Sequence, residues 1–389
     1  MNYAKLVKLS EIAELITKGT TPTTLGYDFQ DKGVNFLKVE CFDEKGTYLA
    51  DKVAHISDAC NEKLKRSQLK VGDILFSIAG AIGRVGIVTE GMLPANTNQA
   101  LAIIRIQNKD IYLPYIKLVL TSPVIKKQFE KKKQGVAQLN LSLKDVNELS
   151  IPLPNKEKQK VIVDLFNRVN ILIKYINNEL EYLDKFIKAR FVELFGNPIY
   201  NTKKLPTTPL NELGDWSSGG TPSRNIKEYF KGEINWYSAG ELNTLFLEES
   251  AEKITREAIE KSTAKLFEAG SMLIGMYDTA AFKMGILREN SASNQACACI
   301  TPTNRVNIIW LYYELQLMKD YFLSKRRGVR QKNLNLGMIK GFEIPIVSRV
   351  EQDKFATFVK EVNKSKVEVQ KALDKAQLLF DSLMQKYFG

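Results

Sequence analysis

The chain is written twice, and this duplication limits its possible folds more than any other feature. Leu9-Ser-Glu-Ile12 followed by Gly19-Thr-Thr-Pro22 returns as Leu210-Asn-Glu-Leu213 followed by Gly219-Gly-Thr-Pro222. Leu69 to Leu75 is answered by Phe267 to Leu273, and Asn98-Gln99-Ala100 by Asn294-Gln295-Ala296. The offset starts at 201 and settles at 193, where Gly135-Val136 meets Gly328-Val329, Ile151-Pro152 meets Ile344-Pro345, Gln159 meets Gln352, and Phe195-Gly196 meets Phe388-Gly389. The matches keep their order over the whole chain, so one large unit has been duplicated. A period this long exceeds solenoid repeats, and each copy must contain a domain with an appendage.

Within each copy a mixed front part precedes a helical back part. In the first copy, short β-like runs occupy Val34 to Val39, Asp73 to Ile78, Val85 to Thr89 and Ala100 to Ile106. In the second they include Ile234 to Tyr237 and Cys297 to Ile300. With helical stretches at Leu113 to Lys133 and Ile308 to Lys325, this pattern predicts an α+β fold with a twisted sheet. Lys156 to Phe195 then runs without Gly or Pro, capped by Pro154-Asn155 and stopped by Gly196-Asn197-Pro198. Its apolar residues Ile162, Leu165, Val169, Leu172, Ile176, Leu180, Leu183, Ile187, Phe191 and Leu194 step by threes and fours. The stripe recurs through Phe355, Phe358, Val362, Val369, Leu373, Ala376, Phe380 and Tyr387.

Forty helical residues reach about 60 Å, too long for one small domain to cover, so the two helices are expected to pack on each other. Antiparallel pairing would set the domains at opposite ends under a pseudo-twofold axis. The predicted order is domain 1–154, helix 155–196, domain 197–347 and helix 348–389.

Composition removes several function classes. Lys and Arg number 56 against 44 Asp and Glu, a net charge of +12 that favours a polyanionic partner. His55 is the only histidine, which excludes a multi-histidine metal centre and leaves one imidazole for any catalytic triad. Cys41, Cys60, Cys297 and Cys299 form neither a C-x-x-C motif nor a disulfide framework, and no Walker loop occurs. The Gly80, Gly83, Gly86 series has the wrong spacing for a dinucleotide loop and reads as a bend between strands. No apolar stretch is long enough to cross a bilayer, and Met1 to Ser10 lacks a signal-peptide core, so a cytoplasmic protein without membrane association is expected.

Two basic clusters occupy corresponding places in the repeat. Lys126, Lys127, Lys131, Lys132 and Lys133 precede Gly135, and Lys325, Arg326, Arg327, Arg330 and Lys332 surround Gly328. A charge run is usually a solvated helix face, but its recurrence in both copies sets phosphate contact, which neutralises backbone charge without reading sequence, level with that reading. Bases would then be read by polar loop side chains, with Arg84, Gln138 and Arg224 as candidates beside Arg330. Asn98, Gln99, Asn294 and Gln295 are identical in both copies, which suits tying the fold better than reading different bases.

Taken together, the Gly-Thr-Thr-Pro and Gly-Gly-Thr-Pro openings, Gly72-Asp-Ile-Leu75, Asn98-Gln99, Gly135 to Leu141, Ile151-Pro-Leu-Pro154, the Glu157/Gln159 helix start and the Phe195-Gly196 end resemble the specificity subunit of type I restriction-modification systems. The resemblance covers essentially the whole chain. It implies two target recognition domains, each reading one half of a split asymmetric site in double-stranded DNA. It also implies a helical spacer that docks two methyltransferase subunits, with restriction-translocase subunits completing the enzyme. The stripe residues Ile162, Leu165, Val169, Ile176, Leu183, Ile187, Phe355, Phe358, Val362, Val369, Leu373 and Phe380 would serve pairing and docking. No catalytic residue, metal or cofactor is expected in this chain; AdoMet, and Mg with ATP, would belong to the partners. If both domains enter the major groove on one side of the duplex, half-site centres fall roughly 10 base pairs apart.

The copies differ where the first has Gly80-Ala-Ile-Gly83-Arg84 and the second Met276-Tyr277-Asp278-Thr279. Asn197-Pro198-Ile199-Tyr200 approximates the Asn-Pro-Pro-Tyr signature of adenine methyltransferases but lacks the second proline and reads as a helix stop. Two other readings remain at this stage. One is a self-contained DNA methyltransferase, which would bind AdoMet alone; the other is a tandem protein-binding scaffold without affinity for nucleic acid.

Overall fold

The computed structural model describes residues 5–130, 140–325 and 333–389. Its two compact units are residues 1–176 with 372–389, and residues 177–371. Each unit therefore combines one mixed domain with stretches of both long helices.

Both units carry the same three sheets. In the first unit an antiparallel sheet runs in the order Leu15–Lys18, Leu101–Arg105, Ile74–Ser77, Val85–Ile87. In the second the order is Gly214–Ser218, Cys297–Pro302, Met272–Gly275, Met284–Ile286. A smaller mixed sheet places Val34–Leu37 between Ala54–Ile56 and Ala95–Thr97, matched by Ile234–Tyr237 between Glu252–Ile254 and Ala292–Ser293. An antiparallel pair then joins the ends of each domain, Lys5–Lys8 with Ser150–Leu153 and Thr207–Pro209 with Glu343–Pro345. The repeat read from scattered tetrapeptides is thus a repeat of topology.

Successive strand residues point to opposite faces, and the central strands are apolar on both. Ile74, Phe76 and Ile104 enter a core with Tyr115, Ile116 and Phe166 from the helices, whereas Leu75 and Ile103 pack with Leu37, Phe42 and Leu101. Cys297 and Cys299 share the second kind of face with Tyr237 and Phe267. Burial pushes both thiols up to about 12, as expected of packed side chains.

The long helices span Lys156–Phe195 and Arg349–Phe388. Asn155 caps the first, its Oδ1 accepting from Lys158 N at 3.0 Å. A Ser348–Glu351 box starts the second, with Ser348 N donating to Glu351 Oε2 at 3.1 Å. Gly196, at φ +80°, ends the first helix in the left-handed region. In the first unit Phe166 meets Phe380 edge-on at 5.2 Å and stacks on Phe388 at 5.9 Å. In the second, Asp184 pairs with Lys366 at 2.7 Å, Phe186 meets Phe358 at 5.3 Å, and Phe191 meets Phe355 at 5.1 Å. Partner numbers fall as central-helix numbers rise, which is the antiparallel pairing expected.

Several boundaries differ from the sequence reading. The helix expected from Leu113 to Lys133 is two helices, Leu113–Leu120 and Pro123–Glu130, because Pro123 has no N–H to continue the first. Val34–Leu37 ends before a 3-10 turn at Val39–Cys41. Leu172 lies within the predicted stripe yet is 47% exposed, while Phe166, outside it, is fully buried. A strict heptad drifts around a straight helix, so a stripe read as one line loses its face.

Candidate nucleic-acid interface

The residues common to both copies build turns. A side chain at Gly19 would lie 1.7 Å from the Thr97 carbonyl oxygen, and one at Gly219 2.3 Å from the Asn294 oxygen, so only glycine fits. Thr21 donates to Gln99 Oε1 at 2.5 Å, and Thr221 donates to Gln295 in the same way. Asn98 Oδ1 accepts from Ala100 N at 3.1 Å, and Asn294 Oδ1 from Ala296 N at 3.0 Å. The paired Asn-Gln motifs tie the opening loop of each domain to a central strand.

Gln159 and Gln352 do the same for the long helices. Both are buried. Gln159 Oε1 accepts from Tyr112 N at 2.8 Å while its Nε2 donates to the Pro154 carbonyl at 2.8 Å. Gln352 Oε1 accepts from Asn307 N at 2.7 Å and its Nε2 donates to the Val347 carbonyl at 2.9 Å. The start of each helix is thereby fixed to the domain preceding it.

The copies diverge at the hairpin after the central strand. Residues 78–84 connect Ile74–Ser77 to Val85–Ile87, and residues 276–283 connect Met272–Gly275 to Met284–Ile286. Gly83 N donates to Ser77 O at 3.0 Å and Phe282 N to Gly275 O at 2.8 Å, which aligns the two loops. In this register Gly80 and Gly83, at φ +73° and +87°, correspond to Asp278 and Phe282, at +48° and +59°. Both positions keep a positive φ although glycine is not kept, and the second loop is one residue longer. Phe282 is fully buried and lies 5.3 Å from Phe322, whereas Tyr277, Asp278 and Thr279 form an exposed polar tip. The corresponding tip of the first copy, Ala79-Gly80-Ala81, offers only backbone groups.

Each hairpin is hydrogen-bonded to the chain that follows its basic cluster in sequence. Leu141 N donates to Ile78 O at 2.8 Å, and Leu334 N to Met276 O at 2.9 Å. Asn333 Oδ1 also accepts from Asp278 N at 3.1 Å. Lys126 and Lys127 are exposed on Pro123–Glu130, and Lys325 is exposed with its ammonium 4.8 Å from the Tyr321 ring centre. Lys131, Lys132, Lys133, Gln138, Arg326, Arg327, Arg330 and Lys332 lie outside the described residues.

Two candidate readers make hydrogen bonds within the domain. Arg84 Nη1 donates to the Phe42 carbonyl at 3.0 Å, securing the turn after Val34–Leu37. Arg224 forms a two-pronged pair with Glu252, its Nη2 2.8 Å from Oε2, and lies over Phe230 at 4.4 Å. Hydrogen bonding to Arg224 holds the Glu252 carboxyl below its ordinary range. Asn197 likewise serves its own turn, Oδ1 accepting from Ile199 N at 3.0 Å. Among the described residues no three His, Cys, Asp or Glu side chains converge to hold a metal.

The stripe expected to serve pairing and docking is largely covered. Ile162, Val169, Ile176, Ile187, Phe355 and Val362 are buried, and Leu165, Leu183, Phe358, Val369, Leu373 and Phe380 are partly so. Apolar side chains left open on the helices include Ile171, Tyr175, Tyr182 and Phe186 on the first, and Val367, Leu378 and Leu379 on the second. Sequence periodicity could not separate these two sets.

The sequence model of the type I restriction modification DNA specificity domain matches this chain twice, over residues 3–182 and 203–378. The chain is 32% identical over 214 residues to the type I restriction enzyme EcoBI specificity subunit of Escherichia coli, covering 54% of this chain and 43% of that subunit. It therefore spans less than half the length of that relative. It is 23% identical over 332 residues to the type I restriction enzyme MjaVIII specificity subunit of Methanocaldococcus jannaschii, covering 76% and 73% of the two chains. A chain from a solved structure on assembly and conformational transition of the type I R-M system matches with a TM-score of 0.69 at 15% identity, covering 100% of this chain and 98% of that one. At that identity the likeness concerns the fold.

Proposed function

This chain belongs to the type I restriction-modification DNA specificity family, and we propose that it is the subunit that selects the DNA site for a type I complex. The observation that carries this reading is the division of labour within the repeat. Residues shared by the copies hold loops and helices together, while the exposed hairpin tips differ. Such an arrangement suits two domains of one fold that read unlike half-sites. The net charge of +12 supports a DNA partner, with lysine and arginine on phosphates supplying affinity and the variable tips supplying discrimination.

In this reading the duplicated domains engage two parts of an asymmetric double-stranded site, and the length of the helices sets the unread gap. The open apolar positions on the helices offer area for two methyltransferase subunits, and restriction-translocase subunits complete the assembly. AdoMet, and Mg with ATP, belong to those partners.

The test is a genome-wide map of N6-methyladenine in cells carrying a type I methyltransferase partner, with and without this chain. The expected result is methylation at one gapped, asymmetric motif that disappears with the chain. An active partner whose methylation is independent of the chain would overturn the proposal.

A further inference from the structure

The hairpin tip of the second unit holds an acidic side chain at a position the fold would fill more comfortably with glycine. Asp278 has φ +48°, and its counterpart Gly80 takes +73° in the first unit. Aspartate tolerates this region better than most residues, yet glycine occupies it without steric cost. Phe282, the other non-glycine residue in the loop, is compensated by full burial and by its ring contact with Phe322. Asp278 has no such return: it is exposed, and among the described residues its carboxylate has no hydrogen-bond or ion-pair partner. What is fixed is its backbone, through the 3.1 Å bond from its N–H to Asn333 Oδ1. That bond joins the tip to Asn333, which in sequence follows the basic residues Lys325, Arg326, Arg327, Arg330 and Lys332.

We propose that Asp278 is a specificity-determining residue that accepts a hydrogen bond from an exocyclic amino group, cytosine N4 or adenine N6, in the major groove. The inference rests on the DNA-recognition reading above and assigns one contact within it. On a duplex a carboxylate is repelled by every phosphate, so its favourable neighbours there are base-edge donors. In the major groove those donors are the amino groups of cytosine and adenine. The first unit, with Ala79-Gly80-Ala81, has no side-chain acceptor at this place, so the contact belongs to one half-site only.

The experiment repeats the methylation map in the full complex with Asp278→Gly and Asp278→Asn. The half-site of this domain is identified as the one that changes when residues 197–347 are exchanged. Asp278→Gly copies the first unit's residue at a positive φ and therefore preserves the loop. The expected result is a loss of about tenfold to a hundredfold in preference at one position of that half-site, where wild type selects C or A. Every other position should be unchanged, and Asp278→Asn should move preference at the same position toward adenine. The base selected by wild type distinguishes cytosine from adenine. An unaltered motif, or a uniform loss at all sites such as a broken ion pair with the basic segment would cause, overturns the assignment. A wild-type chain that directs no motif overturns the DNA-recognition reading itself, a failure visible before any variant is made.

Discussion

Glu314 sits on the helix Ile308–Ser324 inside the second unit, 1% exposed, with no described partner for Oε1. Burial holds its carboxyl well above the ordinary range, so the folded unit keeps a proton that the unfolded chain releases above roughly pH 4.3. The folded state thus binds more protons, and stability falls as pH rises from there through the folded value. In the register set by the Gln159 and Gln352 bonds, the first unit has fully buried Val119 at this place. Glu314→Gln should flatten the decline above about pH 4.3, and Glu314→Val should also raise stability by about 1–3 kcal/mol by removing the unpaired group. Urea unfolding followed by tryptophan fluorescence reads this unit alone, because the chain's 3 tryptophans, Trp216, Trp236 and Trp310, all lie in it. An equal loss with pH in wild type and Glu314→Gln would refute the account. Nothing in the sequence set Glu314 apart, since a glutamate in an amphipathic helix usually faces water.

The strands show how one architecture accepts different chemistry in its two copies. Asp73, 1% exposed, receives two bonds from Arg105, both 2.7 Å, across the strands of the first unit. At the same place in the second unit Ser271 Oγ and Thr301 Oγ1 lie 2.9 Å apart. Breaking a buried ion pair from one side is far worse than replacing both partners. Asp73→Ala should therefore cost about 3–5 kcal/mol, and the double change Asp73→Ser with Arg105→Thr should recover most of that loss. Hydrogen exchange of the amides in Ile74–Ser77 measures both; equal protection in the single and double variants would show that the pair is not what holds the strands. The long helices were readable in sequence because caps, stops and an apolar stripe agree over forty residues. The strands were found where runs of apolar residues are bounded by Gly, Pro or Asn. Their pairing partners depended on contacts far apart in the chain, which periodicity does not encode.

At the scale of the molecule, the duplication sets both the architecture and the reading of its function. Deleting seven residues within Lys156–Phe195 removes close to two turns and keeps the apolar face nearly in phase. Mapped by methylation, such a variant should recognise the same half-sites across a shorter gap; an unchanged gap would show that helix length does not set spacing. The repeat, the helical spacers, the positive charge and the family resemblance were all present in the order of residues, because each depends on pattern along the chain. Folding decided which patterned residues remain available. Arg84 and Arg224 are alike as letters, but in the fold Arg84 Nη1 meets a carbonyl and Arg224 pairs with a carboxylate of its own domain. Asp278 looked like one letter in a divergent loop until the positive φ, the open carboxylate and the bond to Asn333 came together. Sequence determines which groups a chain possesses, but a group can act on a partner only if the fold leaves it unsatisfied and exposed, and that is settled by neighbours distant in sequence.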